Sequence, residues 1–356
     1  MNKLLAIKQW KYSPLTHKVN LRSFGVVLEV DPDQTILDAA LRANVDYPCG
    51  CQSGNCGACK SRLYTGKVEL TPYSTFALDQ SERDQGLVLA CRSIPLSDCE
   101  INPLEQDEVA AHPNRTMSCK IASIKKATHD IRLIGIDVAD GERFSFSAGQ
   151  YASLTFTGLP PRDFSMANNP DQSRLEFHVR HVAGGTVSGH ILNELKVGDT
   201  VSVRGPYGMS YLRERHRGPI IAVAGSTGLA PIKSIVGTAL QAGTKQSIYL
   251  YFGVRDERDL YLVDHLEKMA TNFENLTFMP VLSEPSNVIK YRTGLVTDAV
   301  FSDFDDLDGC KAYIAGPPVM VEHAVEKFQL LGIRREDCHA DAFYTEAEKA
   351  EINQSE

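Results

Sequence analysis

The sequence predicts a multidomain protein of α/β and β structure, with an antiparallel β-barrel in the middle and a doubly wound parallel α/β domain at the end. Three observations predict this order. The chain has 356 residues, more than one ordinary domain holds. Short strands with alternating polarity fill its middle third. Apolar strands alternate with helical segments in its last third, which indicates a parallel sheet.

Composition and charge narrow the class of protein. Hydrophobic residues make up 43% and charged residues 23% of the chain, as in ordinary globular proteins. The net charge of −8 argues against nucleic acid as the main partner. No apolar stretch is long enough to span a bilayer, and the run between Lys3 and Lys8 is too short for a signal peptide. We therefore expect a cytoplasmic protein that has no membrane partner, in which nine cysteines serve metal binding or redox chemistry.

The first region runs over residues 1–102 and begins with a strand followed by a helix. In "GVVLEVDPDQTILDAALRANVDYP" the strand includes Val27 and Val30, and Asp33 is the expected helix N-cap. Small and apolar residues then recur at helical spacing, namely Ile36, Ala39, Ala40 and Ala43. A polar, proline-containing stretch, residues 103–114, is interpreted as a linker to the next domain.

The stretch "YPCGCQSGNCGACK" contains four cysteines in eleven positions. Cys51, Cys56 and Cys59 have the Cys-x4-Cys-x2-Cys spacing of plant-type [2Fe–2S] sites, and Cys91 follows at the end of an apolar strand as the fourth ligand. Cys49 is interpreted as a spare thiol. A structural zinc site is the competing interpretation, but only one Cys-x2-Cys pair is present.

The second region, residues 115–212, is predicted to be the barrel. In "LEFHVRHV" the side chains of Leu175, Phe177 and Val179 share one face of a strand. Two short motifs stand out. "RDFS" begins at Arg162, and "GGTVS" begins at Gly184 and opens a helix, where backbone amides and the helix dipole favour a phosphate.

The third region, residues 213–356, starts with the apolar strand "PIIAVAG" and a turn that leads into a helix ended by Gly243. The turn is not a Gly-x-Gly-x-x-Gly fingerprint. Its short residues nevertheless lie between a strand and a helix, where a pyrophosphate can approach the backbone. They are Gly225, Ser226, Thr227 and Gly228.

"CQSGNCGACKSRLYTG…LACR" resembles the ferredoxin domain of the reductase components of multicomponent aromatic oxygenases, especially phenol hydroxylase reductases. These belong to the ferredoxin–NADP reductase superfamily. The resemblance extends over residues 17–346. It implies a β-grasp plant-type ferredoxin domain over 1–102, an FAD-binding barrel over 115–212 and an NAD(P)H-binding domain over 213–356.

The resemblance also implies roles for the barrel motifs. Arg162 would pair with the flavin phosphates, and Phe164, in place of the family tyrosine, would stack on the ring. Ser165 would lie near flavin N5 as a catalytic residue. The other flavin contacts that the resemblance implies are His178, Val179, Arg180, Gly184, Gly185 and Ser188.

In the last domain the resemblance implies a dinucleotide site and a second catalytic residue. Phe343, or its neighbour Tyr344, would face the flavin beside the nicotinamide. Asp256 would accept from the adenosine ribose, which favours NADH over NADPH. Ala315 stands where the family often has a cysteine. The remaining implied contacts are the turn residues Gly225, Ser226, Thr227 and Gly228 together with Pro231, Gly253, Arg255, Gly316, Pro317 and Pro318.

The function implied is an electron path from NADH through FAD and a [2Fe–2S] cluster to a separate oxygenase or hydroxylase, reached directly or through a ferredoxin. The oxygenase would act on an aromatic compound, and the reductase would be a monomer. The sequence has no Cys-x-His Rieske pair, so we do not expect this chain to be the oxygenase itself. Two alternatives stay open: a reductase of a non-oxygenase system such as sugar deoxygenation, and a zinc-stabilised interaction protein.

Overall fold

The computed structural model describes residues 16–104, 108, 112–138, 142–287 and 290–354, with side chains as far as 351. Two compact units divide the chain: Met1–Glu105 with Ala350–Glu356, and Gln106–Lys349. Residues 105–107 and 109–111 of the expected linker lie outside the described residues, as does the whole run between Lys3 and Lys8. No helix in the described parts of the chain is both long and apolar enough to cross a membrane.

The first unit is a β-grasp domain, in which a mixed sheet packs against helix α1. Its larger sheet has the strand order β2-β1-β7-β3-β5, and β4 pairs with β6 in a separate ribbon. The elements are β1 (His17–Leu21), β2 (Val26–Val30), α1 (Ile36–Arg42), β3 (Lys60–Thr65), β4 (Val68–Leu70), α2 (Gln80–Asp84), β5 (Leu87–Leu89), β6 (Ser93–Pro95) and β7 (Cys99–Pro103).

The N-cap of α1 differs from the prediction. Thr35 takes the cap position, and its hydroxyl accepts from the Asp38 backbone N–H at 3.1 Å, so the expectation for Asp33 was wrong. The helix starts two residues later because Asp31 to Gln34 form a turn closed by their own backbone hydrogen bond. Ile36, Ala39 and Ala40 are buried as the spacing predicts, but Ala43 is the C-cap and is exposed, because the helix ends at Arg42.

The second unit begins with six antiparallel strands in the order β11-β10-β13-β8-β9-β12. A bridge between Met166 and Phe177 links the two edges, so the sheet curls into a nearly closed barrel. Leu175, Phe177 and Val179 face its core, as the alternation predicts. The elements are β8 (Arg115–Lys126), β9 (Ile131–Asp137), β10 (Tyr151–Phe156), β11 (Arg162–Ser165), β12 (Arg174–Arg180), α3 (Thr186–Asn193) and β13 (Thr200–Tyr207).

A parallel sheet in the order β17-β16-β15-β14-β18-β19 completes the second unit. The first strand in the chain, β14, lies in the middle, so the order reverses beside it and creates a topological switch point. The elements are β14 (Ile220–Gly225), α4 (Leu229–Gln241), β15 (Ile248–Val254), α5 (Val263–Asn272), β16 (Leu276–Leu282), β17 (Arg292–Thr293), α6 (Val296–Asp303), β18 (Lys311–Gly316), α7 (Pro318–Leu330), β19 (Cys338–Ala342) and, last in the chain, α8 (Glu346–Gln354).

Candidate functional site

The four predicted ligand cysteines form two pairs of thiols. The sulfurs of Cys59 and Cys91 lie 3.2 Å apart, and the thiols of Cys51 and Cys56 are hydrogen-bonded to each other. Within the described residues, no three or more His, Cys, Asp or Glu side chains surround one point as a single ion requires. Two pairs suit a binuclear cluster, in which each iron takes two protein thiolates, better than one zinc ion.

Backbone amides around the loop point at these sulfurs. The N–H groups of Ser53 and Asn55 donate to Cys51 Sγ at 3.5 and 3.2 Å, and the N–H of Cys51 donates to Cys56 Sγ at 3.2 Å. The Cys56 hydrogen bond, with the Ser53 and Asn55 hydrogen bonds, lowers the pKa of the Cys51 thiol to about 5. A Cβ on Gly50 would lie 2.8 Å from Cys56 Sγ, so this close wrap requires glycine. The loop therefore fits a thiolate-bound cluster.

Cys49 stands outside both pairs. Its thiol is buried, and burial, together with the Asp46 carboxylate, raises its pKa to about 12. That Cys49 is a spare thiol stays a prediction.

The barrel strand β11 brings the predicted flavin residues toward the last strand of the parallel sheet. The Ser165 hydroxyl is buried and donates to Asp341 Oδ2 of β19 at 3.4 Å. Phe164 is partly buried and packs against the barrel core. Arg162 is partly exposed, and its guanidinium lies 4.0 Å from the Glu346 carboxylate.

The glycine turn before α3 has the form that the sequence predicts. Gly184 adopts a left-handed φ of +74°, and Gly185 is the helix N-cap. The Ser188 hydroxyl accepts from the Val182 backbone N–H at 3.1 Å and so holds the turn against the helix. The two glycines therefore leave the N-terminus of α3 open to close approach by an anion.

A cleft of about 300 Å³ opens at the carboxyl ends of the parallel strands. Gly225 ends β14, Arg255 follows β15, Ser283 follows β16 and Pro317 follows β18, and all four line the cleft. This is the switch point, where open α/β sheets bind their ligands. Arg180 of the barrel also lines the cleft, and its guanidinium pairs with Asp130 at 2.9 Å.

The turn after β14 depends on close backbone approach. A Cβ on Gly225 would lie 2.5 Å from Met320 Sδ, and one on Gly228 only 2.0 Å from the Ala315 carbonyl oxygen. Ser226, which occupies the position of a family glycine, has a left-handed φ of +52°. Thr227 is the middle residue of the 3-10 turn Ser226–Gly228, and Pro231 is buried in the first turn of α4. Gly253 lines the cleft opposite Val296.

Asp256 is not among the described residues that line the cleft. Its carboxylate accepts from the Ser286 hydroxyl at 2.6 Å and from the backbone N–H groups of Ser286 and Glu257. The Ser286 hydrogen bonds lower its pKa. Asp259, three residues on, lies in the cleft instead. Two carboxylates thus stand at the end of β15, on the side where the adenosine ribose is expected.

The Gly-Pro-Pro turn after β18 lies beside the predicted aromatic residue. The Phe343 backbone N–H donates to the Gly316 carbonyl at 2.9 Å, while Pro318 opens α7. Tyr344 is anchored elsewhere, since its hydroxyl donates to Glu322 at 2.7 Å. Phe343 is therefore the better placed of the two aromatic candidates. Ala315, at the family cysteine position, pairs in register with Asp341.

His178 faces the parallel sheet, and its side chain is fully enclosed. Its Nδ1 lies 2.9 Å from the Tyr261 hydroxyl, and its Nε2 lies 2.9 Å from a carboxylate oxygen of Glu176. Burial lowers the pKa of His178. Lys233 of α4 contacts the same carboxylate at 3.1 Å. The neighbouring Val179 points into the barrel core instead.

Three family models match the chain in sequence order. They are the 2Fe-2S iron-sulfur cluster binding domain over residues 19–96, the oxidoreductase FAD-binding domain over 118–211 and the oxidoreductase NAD-binding domain over 222–326. The reductase component of naphthalene 1,2-dioxygenase/salicylate 5-hydroxylase systems from Ralstonia sp. is 40% identical over 89% of this chain and 95% of its own length.

Two further proteins resemble this chain over more than nine-tenths of its length. The reductase component of phenol 2-monooxygenase from Pseudomonas sp. strain CF600 is 34% identical over 94% of this chain and 97% of its own. The crystal structure of a cytochrome P450 reductase from Amycolatopsis superposes with a TM-score of 0.76, at 34% identity, over 92% and 99% of the two chains. The chain belongs to this family of oxygenase reductase components.

This reductase component is thus an oxidoreductase with 2Fe-2S, FAD-binding and NAD-binding domains, as the resemblance implied. Its thiol pairs, its glycine turns and the cleft at its switch point fit those three groups. The relatives are components of oxygenase or hydroxylase systems, and nothing favours the sugar-deoxygenation or zinc alternatives. The family assignment also makes the phenol hydroxylase resemblance correct.

Sequence reasoning missed several residues of the reductase cleft. Asp130, Asp259, Thr297, Met320 and His323 all line it. None of them belongs to a glycine motif, and they come from separate segments of the chain. The one available signal was position, because Asp259 and Met320 closely follow carboxyl ends of predicted parallel strands.

Proposed function

We propose that this reductase oxidises NADH and passes the electrons through FAD and a [2Fe–2S] cluster to a separate oxygenase or hydroxylase that acts on an aromatic compound. The observation that carries the proposal is the presence of all three domains, in this order, in one chain that matches oxygenase reductases over nearly their full length. Bound flavin supplies the conversion between the paired electrons of nicotinamide and the single electrons of the cluster.

We assign the cluster to Cys51, Cys56, Cys59 and Cys91. The amide hydrogen bonds to their sulfurs favour the thiolate form and, with limited solvent access, set the reduction potential. We propose that the loop residues are small because bulky side chains would hold these backbone amides away from the sulfurs. We also propose the domain boundaries: the ferredoxin domain over 1–102, a linker over 103–114, the FAD-binding barrel over 115–212 and the NAD(P)H-binding domain over 213–356.

We assign flavin binding to the barrel motifs. Arg162 holds a flavin phosphate, and the N-terminus of α3, with Gly184, Gly185 and Ser188, cradles the pyrophosphate. Ser165, held toward Asp341, positions a hydroxyl near N5, and Phe343 faces the flavin beside the nicotinamide. No acid or base is required for hydride transfer, so these residues act by orientation.

NADH is the proposed donor. The Asp259 carboxylate lines the cleft after β15, where the ribose is expected. Together with the Asp256 carboxylate three residues earlier, it repels a 2′-phosphate more than the exposed Arg258 attracts it, because Arg258 lies 3.9 Å from Asp259. Steady-state rates with ferricyanide test this. We expect kcat/KM for NADH to exceed that for NADPH at least tenfold, and an equal or reversed ratio contradicts the assignment.

The cofactors and the acceptor are tested separately. Purified protein should be coloured by flavin and by the charge-transfer bands of a [2Fe–2S] centre, whereas a colourless, zinc-loaded protein overturns the proposal. Aromatic-ring oxygenase components encoded beside the gene of this reductase, once purified, should form hydroxylated product only when this reductase and NADH are present. Activity with a cytochrome P450 instead would reassign the acceptor.

We propose a cytoplasmic, monomeric reductase, and gel filtration of the purified protein checks its oligomeric state.

A further inference from the structure

We propose that Tyr261 is a positioning residue for the dinucleotide-binding turn, and that His178 determines where the Tyr261 hydroxyl proton is donated. The inference rests on the proposed binding of NADH in the cleft at the switch point. It concerns the Tyr261 hydroxyl, which lies between the barrel strand β12 and the turn after β14 and which no cofactor motif includes.

The hydroxyl has two acceptors within reach. It lies 2.9 Å from His178 Nδ1 and 3.4 Å from the Ser226 carbonyl oxygen. Its ring is held by edge-on contacts with Phe252 and with the His178 imidazole. Tyr261 is only 5% exposed, so water does not readily replace either contact. One hydroxyl proton therefore serves one of two buried acceptors.

The protonation state of His178 decides between them. Its Nε2 faces the Glu176 carboxylate at 2.9 Å, so a neutral imidazole carries its proton there and leaves Nδ1 as a bare acceptor. Tyr261 then donates to His178. When His178 is protonated at both nitrogens, Nδ1 donates to the hydroxyl oxygen, and the hydroxyl proton turns to the Ser226 carbonyl.

The Ser226 carbonyl matters because it fixes a strained turn. Ser226 has a φ of +52°, and its carbonyl also accepts from the Leu229 backbone N–H at the start of α4. A trans peptide points its N–H opposite to its C=O. A donor that holds the Ser226 carbonyl inward therefore directs the Thr227 N–H outward and polarises it, which favours an anionic ligand.

The groups that face His178 come from three elements. Glu176 on β12 carries the carboxylate at Nε2, Lys233 on α4 contacts that carboxylate, and Tyr261 precedes α5. Burial and the Lys233 charge lower the pKa of His265 on α5, while the Glu176 charge opposes this shift. Burial and Lys233 oppose the charged imidazole, while Glu176 favours it, so the second proton binds on the acid side of neutrality.

Tyr261→Phe tests the inference, because it removes the hydroxyl and keeps the ring. The affinity for NAD⁺ is measured by equilibrium titration of oxidised, FAD-loaded protein, and KM for NADH is measured with ferricyanide. We expect the ratio of variant to parent dissociation constants to be near one at pH 8. It should rise to about threefold to tenfold at the lowest pH at which both proteins retain FAD, the range for one hydrogen bond. The kcat should stay within twofold.

Tyr251→Phe is the matched control, since it removes from β15 a tyrosine hydroxyl that donates to Asp303 of α6 at 2.8 Å. It should lower thermal stability without a pH-dependent change in NAD⁺ affinity. His178→Gln, which cannot titrate in this range, should abolish the pH dependence. A ratio that is flat with pH, or an equal change in Tyr251→Phe, overturns the inference. Absence of NADH oxidation by the parent protein would instead contradict the proposed function.

Discussion

The cysteine loop and the dinucleotide cleft are built in opposite ways. Three of the four assigned cluster ligands lie within residues 51–59, and the amides that donate to the sulfurs of Cys51 and Cys56 belong to the same loop. The cleft is assembled from the ends of four parallel strands together with barrel residues such as Asp130 and Arg180. A local site is encoded by spacing, whereas an assembled site is encoded by topology.

This difference predicts how each site fails. A single substitution in the loop removes a ligand that no other segment can replace. A substitution in the cleft acts through backbone packing between distant segments, so its effect appears first in stability and affinity. Four predictions examine this contrast, beginning with the largest expected effect.

Replacement of Cys51 by serine should remove most of the iron. Its thiol belongs to one of the two sulfur pairs and accepts two backbone amides, and no other described thiol occupies that position. Iron and acid-labile sulfide per FAD, with the visible spectrum, measure the loss. Cys49→Ser is the control and should retain the parent iron content. The opposite result would move the ligand register to Cys49 and break the local interpretation.

Gly228→Ala should destabilise the second unit by about 1–3 kcal/mol, the usual effect of overpacking. The added Cβ would lie 2.0 Å from the Ala315 carbonyl and 2.8 Å from the Gly316 nitrogen, and both are backbone atoms of β18. Thermal unfolding and NAD⁺ titration measure the effect, while iron content should not change.

Gly189→Ala is the matched control in helix α3, where a Cβ meets no atom within 4 Å. We expect it to be neutral or stabilising by about 0.5–1 kcal/mol, the gain of alanine over glycine in a helix. Equal destabilisation by both variants would show that close approach at Gly228 has no special importance.

The Glu176 carboxylate should make the free energy of unfolding decrease as the pH becomes acidic. Burial alone raises its pKa, but the His178 hydrogen bond and the Lys233 charge outweigh burial and lower it from 4.5 to about 2. A lowered folded-state pKa gives stability that is fully present above 4.5 and is lost as pH falls toward about 2. Allowing for partial exposure, we expect a loss on the order of 1–2 kcal/mol.

Urea unfolding at several pH values between pH 6 and pH 2.5 measures the slope of the free energy of unfolding against pH. Glu176→Gln should flatten it, because the amide does not titrate. Glu194→Gln, at an exposed glutamate of the same unit, should leave the slope as in the parent. A slope that Glu176→Gln does not change would remove the buried network from the account of acid stability.

Thr35→Ala should destabilise the β-grasp unit by about 1 kcal/mol, the usual effect of losing a helix N-cap. Asp33→Ala should have little effect, because Asp33 lies outside the helix. Chemical denaturation followed by the visible absorption of the cluster distinguishes the two variants. A larger effect for Asp33 would restore the N-cap expected from the sequence.

The sequence by itself determined the domain order, the strand and helix classes, the candidate cluster ligands and the glycine turns. Each depends on short-range spacing: a thiol pattern, a period of two or 3.6 residues, or a glycine where a turn needs one. Even the flavin and dinucleotide motifs were identifiable as short segments, although their residue roles remain proposals.

Only the tertiary structure decided which segments meet. It brought Ser165 to Asp341, directed His178 to Tyr261, placed Asp130 and His323 in one cleft and turned Asp256 toward Ser286. It also moved the α1 cap from Asp33 to Thr35. These outcomes depend on strand order and on competition among nearby hydrogen-bond partners, and neither can be derived from spacing along a single chain.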